Sequence, residues 1–483
     1  MLYRQKSNTF IRIYDSKIGY IVNKQNNNDS VSEGSGVIFL QALSRNPRSL
    51  DEINDEIANV FPKVDKNILR NDIIEFYQML EEKSFIVSGE NAEELNRKDN
   101  RFSYSGLIHD KKRSFFEQDT KKTTQEYMRA YFENDPTLVS FQIELSNRCN
   151  ERCIHCYIPD RQKTTDIDPF LFYKAIDQCA DLGVLDLTIS GGEPMLHKDF
   201  CDFLRYVKKY DFSISVLSNL TLLNDEIISE LKSNQITSIQ TSLYSMNPLI
   251  HDSITQVKGS FIKTRDNILK LIKNDIPLQL SCPTMKQNKD CYIDVMNWAH
   301  EHKCRAITDY LFIARHDNTT DNLQNRLSVE EVEVIIKNIL DNDKEYQNTI
   351  LAKNFDTIEQ YDKGNNIICG VCISTICMAA DGNFFPCPGW NNYVLGNIKD
   401  VALHEIWKNS PRVNYLRSLR IKNFPKCSIC SDIDFCSLCI VRNANESATG
   451  DIFDINEHFC KVAALNKKIV KDWLNKNKPH GVK

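Results

Sequence analysis

The chain predicts an α/β fold in which a parallel sheet rolls into a barrel or partial barrel, with a small α+β unit before it and a cysteine-rich region after it. Three observations predict this. From about residue 138, apolar runs of strand length alternate with helical stripes. Residues 1–90 show a hairpin pattern followed by helices. Nine of the 17 cysteines fall between Cys369 and Cys460, where hydrophobic periodicity is weak.

In the first unit, Phe10–Tyr14 and Gly19–Val22 read as a hairpin strand pair, and a helix begins in the run Gly36–Leu43. Ser49 and Glu52 are spaced as a capping box, so each satisfies a backbone N–H at a helix start. Ile53, Ile57, Val60 and Phe61 form the stripe behind it. Asp65 opens a third helix with Leu69, Ile73, Phe76 and Leu80 on one face, and Phe85–Val87 closes the unit as a short strand. Residues 91–137 are polar and charged, a linker with one helix near Glu126–Phe132.

The barrel occupies 138–320. Its strands are predicted at Val139–Leu145, Leu185–Ile189, Ser213–Leu217, Ile236–Leu243, Ile276–Ser281 and Ala306–Phe312, giving six βα repeats. Such a fold carries its site at the C-terminal ends of the strands. Residues 321–363 form a polar helical bridge, 364–463 the cysteine-rich domain, and 464–483 a tail.

Lys plus Arg number 60 and Asp plus Glu 65, a formal net charge of −5, which provides no global attraction to nucleic acid or an anionic membrane. The first residues lack an apolar signal segment, and no apolar run is long enough to span a bilayer, so a cytoplasmic location is expected. Clustered cysteines in a reducing compartment point to metal ligation rather than disulfides.

The first cluster, Cys149, Cys153 and Cys156, directly follows the first barrel strand. Three thiolates hold three irons of a cubane and leave the fourth open for a ligand. A four-ligand zinc site, with His155 as the fourth group, is the alternative. The spacing Cys-x3-Cys-x2-Cys followed by the aromatic Tyr157 resembles the signature of the radical S-adenosylmethionine (SAM) superfamily, which implies a partial (β/α)6 TIM-like barrel. It also implies that SAM chelates the open iron and is cleaved reductively to methionine and a 5′-deoxyadenosyl radical. Gly191, Gly192, Glu193 and Pro194 after the second strand resemble the motif that holds the SAM amino group. Ser218-Asn219 matches in part the element after the third strand, and Ser242 is a SAM contact by the same resemblance. His251-Asp252 reads as a helix-start pair, and Arg315 as a partner for a ligand carboxylate or a surface acid.

Asp381–Pro388 reads as a hairpin turn delivering Cys387. The order Cys369, Gly382-x4-Cys387, Cys427-x2-Cys430-x5-Cys436, then Cys439 and Cys460 resembles the SPASM auxiliary-cluster domain, except that Cys436 and Cys439 are separated by two residues instead of three. The resemblance implies one [4Fe-4S] cluster on Cys427, Cys430, Cys436 and Cys460. It implies a second on Cys369, Cys387 and Cys439, with Cys372 as fourth ligand, Cys377 as the alternative, or an open iron. Zinc is again the alternative for Cys427 to Cys439. Cys179, Cys201, Cys291 and Cys304 read as core, and Cys282, at the end of a strand, as core or as part of the site.

Gly34–Leu40, Ser49–Ile53 and Asp72–Phe76 resemble the PqqD-like, winged-helix-like domain that binds leader peptides of ribosomally made, modified peptides. A DNA-binding wing shares the layout, but Glu75, Glu81 and Glu82 make the third helix a poor basic recognition helix. Taken together, the resemblances imply a radical SAM peptide maturase with three [4Fe-4S] clusters, a leader-bearing precursor peptide as partner and a flavodoxin or ferredoxin as electron donor. A cysteine thioether is the expected bond; a carbon–carbon crosslink, epimerisation, sulfatase-type protein maturation and a zinc-binding adaptor are the alternatives.

Overall fold

The computed structural model describes residues 1–99, 102–104, 123–234, 236–352 and 363–477. Parts of the predicted linker and bridge, and the end of the predicted tail, lie outside the described residues.

Six strands make two small sheets in the N-terminal unit: β1 (Leu2–Gln5), β2 (Thr9–Tyr14), β3 (Ile18–Asn23), β4 (Asn28–Glu33), β5 (Arg48–Ser49) and β6 (Ile86–Gly89). One sheet runs β5-β1-β6 and the other β2-β3-β4. The expected hairpin is β2–β3. The third strand, β4, is missed by pattern because its sequence is polar and only Ser30 is buried. Helices occupy Ser35–Gln41, Leu50–Val60 and Lys66–Glu82. The Ser49–Glu52 box closes in both directions, at 3.2 and 2.8 Å. Ile53, Ile57, Leu69, Ile73 and Leu80 enter the core, whereas Val60 stays 53% exposed.

The barrel strands are β7 (Ser140–Ser146), β8 (Asp186–Gly191), β9 (Ser213–Leu217), β10 (Ser238–Ser242), β11 (Leu278–Pro283) and β12 (Arg305–Asp309). All five adjacent pairs are parallel and in chain order. Alternation divides each strand. Phe141, Ile143 and Leu145 of β7 are fully buried, while Gln142 donates to Ser190 Oγ on β8, and Gln240 of β10 to Ser281 Oγ on β11. The Phe172 and Phe203 rings of two covering helices stack 4.0 Å apart.

The cysteine-rich domain is built onto the same sheet. Its strands are β13 (Thr375–Met378), β14 (Asn383–Phe385) and β15 (Gly396–Asn397). β13 pairs parallel to β7, so one nine-stranded sheet runs from β12 to β15. The predicted turn joins β13 to β14: Gly382 has φ +88°, and Asp381 Oδ1 accepts from Asn383 N at 2.9 Å. The predicted tail does not begin at 464. One helix, Glu457–Asn477, crosses that point, because Val462, Ile469, Val470 and Leu474 recur at helical spacing and are buried.

The sheet β2-β3-β4 docks at the starts of the barrel strands. Phe10 and Val22 pack on Leu185. Arg12 donates to the carbonyls of Gly183 (3.1 Å) and Val184 (2.9 Å), Arg45 pairs with Asp211 at 2.5 Å, and Lys24 with Asp186 at 2.7 Å. Arg12 is expected to be the strongest of these contacts, since hydrogen bonds to a charged group are worth roughly 1.5–3 kcal/mol. Arg12→Ala should raise amide hydrogen exchange at Gly183–Asp186 and lower the thermal midpoint; unchanged exchange there would show that the contact does not hold the unit in place.

Candidate functional site

The site forms where β7 ends. Gly192 N donates to Ser146 O at 2.7 Å, and Glu193 N to Arg148 O at 2.9 Å, tying the end of β8 to the base of the cysteine loop. A Cβ on Gly191 would lie 2.1 Å from Ser146 O, and one on Gly192 2.4 Å from Arg148 O. Gly191 also has φ +142°. Only glycine permits this approach.

The three thiols open on a cavity of about 420 Å³ at the C-terminal ends of the strands. Burial pushes the Cys149 thiol up to about 12 and raises that of Cys153 too, and Cys156 adds to both through its charge. Such thiols reach the thiolate state needed for iron when the metal itself supplies the positive charge. Gly191, Gly192, Ser218, Asn219, Ser242 and Tyr157 line this cavity.

Other expected contacts lie elsewhere. Glu193 is fully buried beneath the wall, where its carboxylate accepts from Asn219 N (2.7 Å), Ser218 Oγ (2.8 Å) and Met195 N (3.0 Å). It braces the ends of β8 and β9 together. Pro194 starts the short turn that follows. Arg315 pairs with Asp321 at 3.0 Å and is absent from the cavity wall, because the Arg315–Thr319 turn brings the acid to it.

Several wall residues lie outside the expected set. Glu151 is buried with Oε1 unpartnered, and burial raises its carboxyl to about 7. His155 stacks near Tyr244 and Phe312, with Nδ1 unpartnered. His251 does not start a helix. Asn247 caps Pro248–Thr255, and His251 lies one turn in. Its Nδ1 accepts from Tyr244 N at 3.3 Å, and burial holds the ring near 4, hence neutral at pH 7. The proton therefore resides on Nε2, a buried donor with no partner among the described residues. Asp252 is the capping residue, accepting from Gly259 N and Phe261 N at the next helix. The redundant helix-start signal at Asn247-Pro248 is what could have released His251 for the site. Cys282 also lines the wall. Unmatched donors and acceptors around an organic-sized cavity, beside three thiols, fit a cluster and a polar ligand bound to it.

The nine cysteines from Cys369 to Cys460 separate into two sets. Burial raises the thiols of Cys369 and Cys387, the latter to about 12, and the charge of Cys439 raises both. Cys372 adjoins Cys369, and Cys377 adjoins Cys387 and Cys372. In the other set, Cys460 and Cys430 act on Cys427, and Cys460, Cys427 and Cys430 on Cys436, in each case after burial. Cys439, despite its altered spacing, thus lies with Cys369 and Cys387. Among the described residues no three His, Cys, Asp or Glu side chains converge tightly enough to share a single metal ion. A cubane asks for less, since each thiolate binds a different iron.

A further carboxyl, Glu144 on β7, is 3% exposed. Burial, with Asp381 nearby, raises it to about 8.

Comparison with known proteins agrees with this geometry. Residues 143–302 match the radical SAM superfamily, and residues 369–432 match the SPASM iron–sulfur cluster-binding domain. An AdoMet-dependent heme synthase of Methanosarcina barkeri is 27% identical over 68% of this chain and 97% of its own length. The antilisterial bacteriocin subtilosin biosynthesis protein AlbA of Bacillus subtilis is 27% identical over 63% of this chain and 67% of its own. Crystal structures of Streptococcus suis SuiB bound to S-adenosylmethionine superpose with a TM-score of 0.58 at 14% identity, covering 94% of this chain and 99% of that one. At that identity the likeness shows the fold. No helix among the described residues is long and apolar enough to cross a membrane.

Two outcomes are expected. Gly192→Ala should displace the Arg148 carbonyl and cost the protein about one cluster's worth of iron while the other clusters remain; full iron content would contradict the glycine's role. Glu144→Gln should flatten the dependence of stability on pH. A carboxyl raised from 4.5 to about 8 stays protonated when folded but ionises when unfolded, so native stability falls as pH climbs through that window. Thermal melts should therefore show the variant gaining on the wild type between pH 5 and pH 8, and parallel curves would contradict the burial effect.

Proposed function

We propose that this chain, a radical SAM enzyme with a SPASM domain that uses SAM and [4Fe-4S] clusters, installs crosslinks in a ribosomally made precursor peptide, thioether bonds from cysteine sulfur foremost. The observation that carries this reading is the joining of three cysteine sets and a small antiparallel sheet, its outer edges unpaired among the described residues, to one barrel. When bound, a cluster on Cys149, Cys153 and Cys156 supplies the electron that cleaves SAM. Around it the protein binds and orients. Ser218, Asn219 and Ser242 offer hydroxyl and amide groups to the ligand, His251 Nε2–H offers a donor, and Glu193 holds the strand ends rigid.

The auxiliary sets, Cys369, Cys387 and Cys439 with Cys372 or Cys377, and Cys427, Cys430, Cys436 and Cys460, would each hold a cluster, and that group would supply a place for the electron left after bond formation or a site for a substrate thiolate. A flavodoxin or ferredoxin supplies the reducing electron. In the N-terminal unit, β2 and β4 each pair with β3 alone among the described residues, so a leader strand can add at an outer edge. AlbA, whose name assigns it to subtilosin biosynthesis, and SuiB, solved in complex with its precursor peptide SuiA, support a peptide substrate. The heme synthase matches 68% of this chain along nearly its whole length, so a likeness of that extent leaves the substrate class open. Carbon–carbon crosslinking, epimerisation and sulfatase-type maturation use the same radical.

Replacing Cys149, Cys153 and Cys156 by Ala should abolish 5′-deoxyadenosine formation, and survival of that product would refute the reading. Removing residues 1–90 should spare SAM cleavage and lose peptide modification. Full modification by the truncated enzyme would refute leader docking and leave the barrel chemistry standing.

A further inference from the structure

A second cavity, of about 290 Å³, adjoins the first and shares Ile158 as a wall. Glu144 lines it from β7, Asn147 and Thr164 from the cysteine loop and the segment after it, and Asp381 from the β13–β14 turn. Glu144 is 97% buried, yet it makes no hydrogen bond or ion pair with any described residue. No Lys, Arg or His lines this cavity. Asp381 is fixed by the turn, its two oxygens accepting from Asn383 N and Asn383 Nδ2 at 2.9 and 2.7 Å.

Buried polar groups almost always have partners, and a buried carboxylate is costly without a cation. Here the buried, unpartnered carboxyl of Glu144 from the barrel and the acid Asp381 from the cysteine-rich domain face one space lined, among the described residues, by no Lys, Arg or His, so a cation arriving there lets Glu144 ionise. The missing partner is a cation brought by a ligand. Its size argues for an organic one: the cavity is roughly ten times the 30 Å³ share of one water, and the Asn147 amide oxygen that also lines it is already taken by Thr164 N and Thr165 N. Through Ile158 the cavity borders the chamber of the three thiols, so a side chain held here leaves its chain neighbours at that chamber.

We infer that this cavity receives the cationic side chain of a lysine or arginine in the substrate peptide, with Glu144 and Asp381 as specificity-determining residues. The inference rests on the peptide reading above and adds a sequence requirement to it. An arginine would span both acids with its planar fork; a lysine would meet them as a point charge.

The test uses full-length enzyme, anaerobically reconstituted and saturated with SAM. Nα-acetyl-lysine methylamide, its arginine counterpart and the uncharged norleucine counterpart are titrated by calorimetry. At least one basic probe should bind about tenfold or more tightly than norleucine, and Glu144→Gln and Asp381→Asn should each weaken that probe alone by about tenfold. Equal affinity for all three probes, no binding at millimolar concentration, or basic-probe affinity untouched by Glu144→Gln overturns the inference, as does displacement of the probe by Mg²⁺ or Ca²⁺ bound at the same acids. Visible absorption of the clusters checks that each variant is loaded. Should Glu144→Gln fail to load, Asp381→Asn, at the exposed rim, carries the same comparison. The two readings fail separately. A peptide modified equally well after its basic residues are replaced by norleucine overturns the subsite alone, whereas selective binding of a basic probe with no peptide ever modified overturns the peptide reading.

Discussion

Two backbone hydrogen bonds, from Gly192 N to Ser146 O and from Glu193 N to Arg148 O, hold the cysteine loop against the end of β8. The chain passes so close there that a single methyl group on either glycine would strike a carbonyl. Without that approach the loop has no fixed base, and three thiols on a free loop would pay the full entropy of being brought together. Glu193 reinforces the contact from beneath, gathering the start of the next loop through Ser218 and Asn219. The geometry of the chamber is therefore set by main chain and by one buried carboxylate, leaving the side chains on its wall free to meet a ligand.

The sheet extends this order to the second domain. Because β13 pairs with β7, the strand that delivers the first cysteine loop also carries the hairpin that leads to Cys387. Domains joined by loops alone move relative to one another by default; domains sharing a sheet do not. A fixed spacing between redox sites suits the passage of single electrons, and it places the Asp381 turn beside Glu144. The same junction thus lies at both the proposed electron path and the proposed recognition of a basic side chain.

Much of this was legible in the sequence. The six strands were marked by apolar runs of strand length alternating with helical stripes, and the cysteine loop and Gly-Gly pair by their position after β7 and β8. What escaped did so for physical reasons. β4 is polar, with Ser30 its one buried residue, so it carries no apolar alternation to read. Glu144 and Glu151 look like surface acids to any pattern, since nothing local reveals that distant elements close over them. Arg315 has the chemistry for a ligand carboxylate, but a turn supplies Asp321 first. His251 sits beside a helix-start signal that belongs to its neighbours, and only the packing of Tyr244 against it shows which ring nitrogen faces the chamber.

The most direct test of the central claim is mass spectrometry on a cysteine-containing precursor peptide encoded beside this chain, after anaerobic reaction with reconstituted enzyme, SAM and a reductant. The account predicts loss of two hydrogens per modification with a matching fall in alkylatable thiols. An unchanged peptide, with no deuterium taken up from heavy water despite continuing 5′-deoxyadenosine production, would contradict it.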